Sequence, residues 1–221
     1  MAESGAKTPR ERYRAQVRAE IKQHAWEQIA TAGASALSLN AIAKQMGLSG
    51  PALYRYFAGR DELITELVRD AYRSLADTLR AATEASKSGP DIAILANALR
   101  DWALEDPNRY FLVYGTPVPG YHAPGDITGI ADEIMRMLLD ACAALPLDGP
   151  ASPFAAHLAE HRQWAEGHPA PPAALHRALA FWTRLHGVLS LEAAGHFTGM
   201  GFDPGRLFAA ELDGLRGAEL A

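Results

Sequence analysis

The sequence has few of the features that cross-link a chain or anchor it to a membrane. Its 221 residues include a single cysteine, Cys142, so no disulfide can form within the chain. No run of about 18 apolar residues occurs, which argues against a membrane span. Basic residues such as Arg10 and Arg12 interrupt the first apolar residues, and no signal peptide is predicted. We therefore expect a reducing, cytoplasmic setting, no membrane partner and a fold stabilised by its apolar core.

The usual short motifs of enzymes are also missing. The sequence has no glycine-rich phosphate loop, no cysteine pair and no nucleophile elbow. Residues 157–161 read His-Leu-Ala-Glu-His, the order found in inverted zinc peptidases, with both histidines on one helix face. A zinc site needs a third ligand and an open cleft, whereas this short segment is bounded by Pro153 and Pro169. Surface histidines are favoured, so no enzyme, metal or cofactor is expected; a metal-dependent hydrolase is the alternative.

Acidic residues are scarce in the N-terminal part of the chain. Residues 1–60 carry nine Lys or Arg against four Glu, whereas the remainder carries 12 against 22. The formal net charge of −5 therefore hides a basic segment. Such a segment attracts phosphate groups, although a solvated basic tail would have the same composition. In combination with the motif that follows, double-stranded DNA is the favoured partner.

Two short helical patterns with a tight turn between them begin at Ser38. The first has an apolar stripe at i, i+3, i+4 and i+7, formed by Leu39, Ile42, Ala43 and Met46. Ser38 can accept a hydrogen bond from the first turn, so the helix is predicted to begin at Leu39. The pattern ends at a glycine, residue 47, which adopts the left-handed conformation at little cost.

The second pattern is a very short helix with Pro51 in its first turn, where a missing N–H costs nothing. Leu53 and Phe57 lie on one face, four residues apart, while Ala52 and Arg55 point elsewhere. That other face is free to enter a groove. The arrangement is typical of a helix-turn-helix.

At these residues the sequence resembles the tetracycline-repressor (TetR) family. The resemblance spans about Val17 to Val68, with Gly50 and Ala52 departing from the commonest pattern, and rests on the order I-A-x-x-M-G-L-S-x-P-A-L-Y-R-Y-F-x-x-R-x-E-L. It implies a one-component repressor, an all-helical homodimer whose helix-turn-helix binds a palindromic operator. A small-molecule effector that enters the C-terminal domain would release the DNA. An activator is an alternative with the same DNA-binding domain.

The remaining patterns are helical throughout, and no alternating strand pattern competes. The predicted fold is all-α: a basic arm and three-helix DNA-binding domain over residues 1–60, and a helical ligand-binding and dimerisation domain over 61–221. A long helix that begins after Gly59 joins the two. The other predicted helices cover residues 11–32, 91–105, 107–114, 127–144, 153–166, 172–198 and 204–216.

Ten residues of the motif are predicted to bind DNA. Arg55 is expected to read guanine in the major groove, and the methyl of Ala52 suits a thymine methyl. The resemblance implies phosphate contacts for Tyr54 and Arg60. Tyr56 has a core position as its alternative, and Asn40 a surface position. The full set is Ser38, Asn40, Ser49, Gly50, Pro51, Ala52, Tyr54, Arg55, Tyr56 and Arg60.

A second resemblance lies near the C-terminus. Trp182, His186 and Gly187 match the three residues for which a TetR subgroup with a Trp-His-Gly C-terminal domain is named. Residues 110–124 are aromatic, contain three prolines and are poor in charge, so we expect an irregular segment that is buried or lines a cavity.

These features predict a mostly apolar effector pocket of drug-like size. Its predicted lining is Trp102, Tyr110, Tyr114, Tyr121, His122, Met135, Trp182 and His186. Ordinary core aromatics are the alternative, and for His186 a buried histidine bonded to a backbone carbonyl. The dimer interface is assigned to the last two helices because their apolar content exceeds one core stripe, through Leu175, Leu179, Leu185, Leu189, Leu207, Phe208, Leu212 and Leu215.

Overall fold

A computed structural model describes residues 8–86, 89–116, 118–121, 124–146, 152–165 and 167–217. Across these ranges helices are the only regular secondary structure and no strand occurs, which confirms the predicted all-α fold. The helices are α1 (Pro9–Ala32), α2 (Leu39–Gln45), α3 (Gly50–Leu53), α4 (Arg60–Ala85), α5 (Ile92–Glu105), α6 (Pro107–Tyr114), α7 (Gly125–Ala143), α8 (Pro153–Glu160), α9 (Pro172–Ala193) and α10 (Pro204–Arg216), with 3-10 turns at Ala34–Ala36 and Gln163–Ala165.

The chain divides into two compact units. The first runs to Asp70 and includes a short segment that begins at Thr116; the second contains the remainder from Ala71 onward. The division therefore falls within α4, ten residues after the predicted boundary at residue 60. Helix α4 contributes to both units.

The first unit is built around the C-terminal two-thirds of α1. Its buried side chains recur every four residues, as predicted, through Val17, Ile21, Ala25 and Ile29. The predicted cap is also confirmed: the Ser38 hydroxyl accepts from the Ala41 N–H at 3.3 Å, and α2 begins at the next residue.

The second unit has α9 at its centre, where it packs against α5, α7, α8 and α10. Most of its apolar side chains point inward, and Leu175, Leu185 and Leu189 are fully buried. On α10, Phe208 and Leu215 are buried in the same core. The large apolar content of these two helices is therefore used within one subunit. Of the eight residues named for the dimer interface, Leu179 and Leu207 are half-buried and the other six are buried, and the assignment of the interface to these two helices stays a prediction.

Two predicted helices end early: α8 stops at Glu160 instead of 166, and α9 stops at Ala193 instead of 198. The helix predicted over 107–114 is present as α6, so residues 110–114 do not belong to the irregular segment expected over 110–124. The prolines that break this segment all follow Gly115, so the apolar run before them is free to be helical. No helix in the described ranges is long and apolar enough to cross a membrane.

Candidate functional site

Helix α3 is only four residues long, and two arginines of α1 hold the turn that follows it. Arg14 donates from Nη2 to the carbonyl of Arg55 at 3.1 Å, and Arg18 donates from Nη1 to the carbonyl of Tyr56. The Arg18 guanidinium also stacks over the ring of Phe57, 4.1 Å from its centroid. Carbonyls at the end of so short a helix have few internal partners. The arginines provide them and fix α3 on α1.

Arg18 also connects this turn to α4. Its guanidinium lies 3.7 Å from the Glu62 carboxylate and 3.5 Å from that of Glu66. A second ion pair, between Lys22 and Asp70, joins the same two helices farther along. Three helices of the first unit are thus tied together through the polar face of α1.

The first turn of α3 and the turn that follows it have exposed side chains. The Tyr54 side chain is 48% exposed, and Arg55 makes no hydrogen bond or ion pair through its guanidinium within the described ranges. Asn40 of α2 lies beside the first turn, with its amide oxygen 3.6 Å from where a Cβ on Gly50 would stand. The predicted residues that share this exposed surface are Asn40, Ser49, Pro51, Tyr54 and Arg55, with Ser38, Gly50 and Ala52 half-buried at its edge.

Two predicted DNA contacts are engaged within the protein. Arg60 donates from Nη2 to the carbonyls of Ala34 and Ser35, at 3.0 and 3.2 Å. Tyr56 is half-buried, with the Arg14 guanidinium over its ring. The Arg60 side chain supports the 3-10 turn at Ala34–Ala36, and the Tyr56 side chain packs in the turn after α3. Sequence reasoning missed Arg14 and Arg18, and the signal for them was their spacing of four residues on one face of α1.

In the second unit, four of the predicted effector residues form one cluster. The ring centroid of His186 lies 4.4 Å from Trp182, 4.5 Å from Tyr114 and 5.7 Å from Tyr110. Tyr114 also meets Trp182 edge-on, with ring centroids 5.5 Å apart. The four rings are close-packed, so within the described residues no ligand-sized space separates them. We call Tyr110, Tyr114, Trp182 and His186 the aromatic cluster.

The other four predicted residues lie elsewhere. Trp102 donates from Nε1 to the Ser74 hydroxyl at 3.1 Å, and Met135 packs against the core. Tyr121 belongs to the first unit, where its hydroxyl accepts from Thr65 at 3.2 Å. His122 lies outside the described residues. The contacts of the described residues thus bring four of the eight together, and a drug-sized pocket bounded by all eight stays a prediction.

A small apolar cavity does border the cluster. Its volume is ≈ 10 Å³, near the minimum that could hold a single water. Trp182 is the one predicted residue in its wall; the others are Leu75, Leu79, Leu95, Leu99, Ile134, Leu138 and Phe181. Sequence reasoning favoured aromatic residues for this role, whereas six aliphatic residues from α4, α5 and α7 form most of the wall and α9 adds Phe181 and Trp182.

The polar groups of the cluster are neutral at pH 7. Burial lowers the pKa of His186 from 6.5 to about 4. Burial raises the pKa of Tyr110 from 10.0 to about 12 and also raises the pKa of Tyr114 well above its ordinary value. The Nδ1 atom of His186 pairs with the Tyr110 hydroxyl at 3.0 Å, so its partner is a phenol and not the backbone carbonyl considered from sequence.

The zinc-peptidase-like segment has no metal-site geometry. His161 follows the end of α8, and its Nδ1 lies 3.0 Å from the carbonyl of His157. The two imidazole rings stack with centroids 4.0 Å apart. Among the described residues, no group of three His, Cys, Asp or Glu side chains could hold a metal ion.

Comparison with known families identifies both units. The sequence profile described as "Bacterial regulatory proteins, tetR family" matches residues 21–67. A second profile, "Tetracyclin repressor-like, C-terminal domain", matches residues 92–215. Together they span most of the chain.

Individual proteins agree with these profiles. HTH-type transcriptional regulator Rv1816 of Mycobacterium tuberculosis is 38% identical over 211 residues, covering 90% of both chains. The crystal structure of SCO4313, a protein named for an inferred regulatory role, is 72% identical, with a TM-score of 0.86 over 95% of this chain and 100% of that one. A Rhodococcus sp. RHA1 protein of unknown function shares the fold at 20% identity, with a TM-score of 0.65 over 97% of each chain.

These matches agree with the helix-turn-helix of the first unit and with the helical second unit. They also make this chain a regulator and not an enzyme. The chain belongs to the TetR family of DNA-binding transcriptional regulators.

Proposed function

We propose that this regulator is a cytoplasmic homodimer that represses transcription from a palindromic operator until a small, mostly apolar effector enters its second unit. One observation carries the DNA-binding half of the proposal. The turn after α3 presents the side chains of Tyr54 and Arg55 outward, while Arg14 and Arg18 bond to its backbone carbonyls. An exposed arginine on a backbone held in this way can enter the major groove. We also propose that the chain belongs to the TetR subgroup with a Trp-His-Gly C-terminal domain.

Dimerisation follows from the size of the reading surface. One α3 covers a single half-site, so specific affinity requires two copies, placed about 34 Å or a multiple of one DNA turn apart. Light scattering at micromolar concentration is expected to give twice the mass of the 23.8 kDa chain. A monomer at that concentration would contradict the proposal.

Release of DNA would be a population shift between two conformers. An effector that binds only the conformer with misaligned reading helices lowers operator affinity by its differential affinity, typically about 1–3 kcal/mol. Helix α4 is the element that could connect the events, because it lines the small cavity through Leu75 and Leu79 and continues into the first unit as far as Arg60.

The test is binding to DNA taken from upstream of the protein's own gene. Fluorescence anisotropy with this DNA and with a scrambled duplex of equal length would be measured over a range of salt concentrations. Specific binding is expected to exceed non-specific binding by about 10³-fold or more. Equal affinity for both duplexes would argue against an autoregulatory operator. Addition of a small-molecule extract should release the specific complex.

A further inference from the structure

Two polar atoms of the aromatic cluster are buried without a hydrogen-bond partner among the described residues. They are the hydroxyl oxygen of Tyr114 and Nε2 of His186. Buried polar atoms are normally paired, because each has given up its bonds to water. Two unsatisfied polar atoms in one cluster therefore indicate a place where a polar group of a ligand can form hydrogen bonds.

The Nε2 atom is unmatched in either tautomer. If Tyr110 donates to Nδ1, then Nε2 carries the hydrogen and lacks an acceptor. If Nδ1 donates to Tyr110, then the Tyr110 hydroxyl can turn to the carbonyl of His186 at 3.4 Å, and Nε2 lacks a donor. The Tyr114 hydroxyl can both donate and accept. A partner that also does both, such as an alcohol, fits every arrangement of these hydrogens.

An incompletely packed apolar region lies on the other side of Trp182, the ring that contacts both residues. Trp182 contacts both Tyr114 and His186 and also forms part of the wall of the ≈ 10 Å³ cavity. The rest of that wall is aliphatic apart from Phe181. An apolar group that extends from the cluster past Trp182 would enter this region and would have to widen it. Leu75 and Leu79 of α4 lie on one side.

The surroundings disfavour an anionic ligand. The imidazole and phenol groups of the cluster are neutral at pH 7. The buried and half-buried arginines in the described part of the second unit are engaged elsewhere: Arg80 with Glu133, Arg100 with Glu192, Arg109 with Glu105, Arg162 with the carbonyls of His168 and Ala170, and Arg177 with those of Cys142 and Pro146. A carboxylate brought to this cluster would lose its hydration without gaining a cation.

We propose that the effector is an uncharged molecule with an apolar body and one hydroxyl head, which binds the Tyr114 hydroxyl and His186 Nε2 while its body widens the cavity beside Trp182. This inference rests on the proposed function, in which an effector enters the second unit. It adds the chemical class of that effector. It also assigns the two polar contacts.

The test uses 1-octanol and octanoate, which share a chain length and differ in the charge of the head. Calorimetric titration of the full-length protein, without DNA, is expected to show binding of 1-octanol and at least about tenfold weaker binding of octanoate, equivalent to about 1.4 kcal/mol. Octanoate binding as tight as that of 1-octanol, or no binding of 1-octanol, would overturn the inference.

The Tyr114→Phe variant tests the polar contact. Removing an unpaired hydroxyl should leave the protein folded and raise its melting temperature slightly in the absence of ligand. Binding of 1-octanol should weaken about five- to tenfold, the effect of one hydrogen bond. Tyr13→Phe is the matched control, because Tyr13 is exposed on α1. The affinity of this variant for 1-octanol should equal that of the unaltered protein. Unchanged affinity in Tyr114→Phe would remove Tyr114 from the site.

Operator release separates this inference from the proposed function. If 1-octanol binds with the expected pattern but the operator complex survives, the site is supported and effector-driven release fails. If 1-octanol does not bind but another compound from an extract releases the operator, the inference is overturned and the regulator function stands.

Discussion

The two units of this regulator treat polar groups in opposite ways. Around α3, arginine side chains from α1 and Arg60 from α4 satisfy backbone carbonyls, and the Arg55 guanidinium, which has no partner in the described ranges, faces outward. In the aromatic cluster, Tyr114 and His186 keep unpartnered polar atoms inside. The first arrangement gives a rigid surface before DNA arrives. The second leaves bonds to be formed by a ligand, which is how a sensor can gain free energy on binding.

The largest expected effect is on the pH dependence of stability. Burial lowers the pKa of His186 from 6.5 to about 4. Between these two pH values the imidazole is therefore protonated in the unfolded chain but stays neutral in the folded chain. The free energy of unfolding should therefore fall by about 3 kcal/mol as the pH falls from 7 to 4. His186→Gln should remove this part of the slope. Denaturant titrations at several pH values and one protein concentration would measure it.

His196→Gln is the control for this experiment, because His196 is exposed beyond the end of α9. It should keep the slope of the unaltered protein. A His186→Gln variant with that same slope would show that the imidazole is not buried in a neutral form, and the contrast between the two units would be lost.

Replacing Arg55 should affect specificity alone. Arg55→Ala is expected to cost about 1–3 kcal/mol for the operator while leaving binding to random DNA nearly intact. Its melting temperature should not change, because the guanidinium has no partner within the described ranges. Anisotropy titrations with both duplexes would measure this. Equal losses on the two DNAs would make Arg55 a phosphate contact.

Replacing Arg18 should instead act through stability. Arg18→Ala removes a charged donor from the carbonyl of Tyr56 and a cation from the ring of Phe57. We expect the free energy of unfolding to fall by about 1.5 kcal/mol, with weaker binding to every DNA. Arg12→Ala, at an exposed site on the same helix, should leave the stability unchanged. A stable Arg18→Ala variant would show that α3 is fixed by its apolar face.

The smallest expected effect is at Arg60, where the resemblance and the geometry differ. A phosphate contact would lower the salt slope of DNA binding by about one unit when Arg60 is replaced with alanine. The bonds to Ala34 and Ser35 predict instead a loss of about 1 kcal/mol in unfolding free energy with little change in slope. We expect the second result. A drop of one full unit would restore Arg60 to the DNA interface.

Predictability from the sequence differed between local and long-range features. Ser38 and the apolar stripe of α2 specify a helix start and a buried face by themselves, because capping and periodicity involve only near neighbours. The interior of the second unit could not be derived in this way. The leucines of α9 look alike in sequence whether they meet α10 or another subunit, and their burial depends on which helices surround them.

By itself the sequence determined an all-α chain, a helix-turn-helix with an arginine on its outer face, and the family. These depend on residue order over short distances. Only the tertiary structure decided that Arg60 supports a loop, that Tyr121 belongs to the first unit, and that Tyr114 and His186 lie together with unpaired atoms. Such facts depend on groups far apart in the chain meeting in space, where packing and hydrogen bonding select one arrangement that no local pattern encodes.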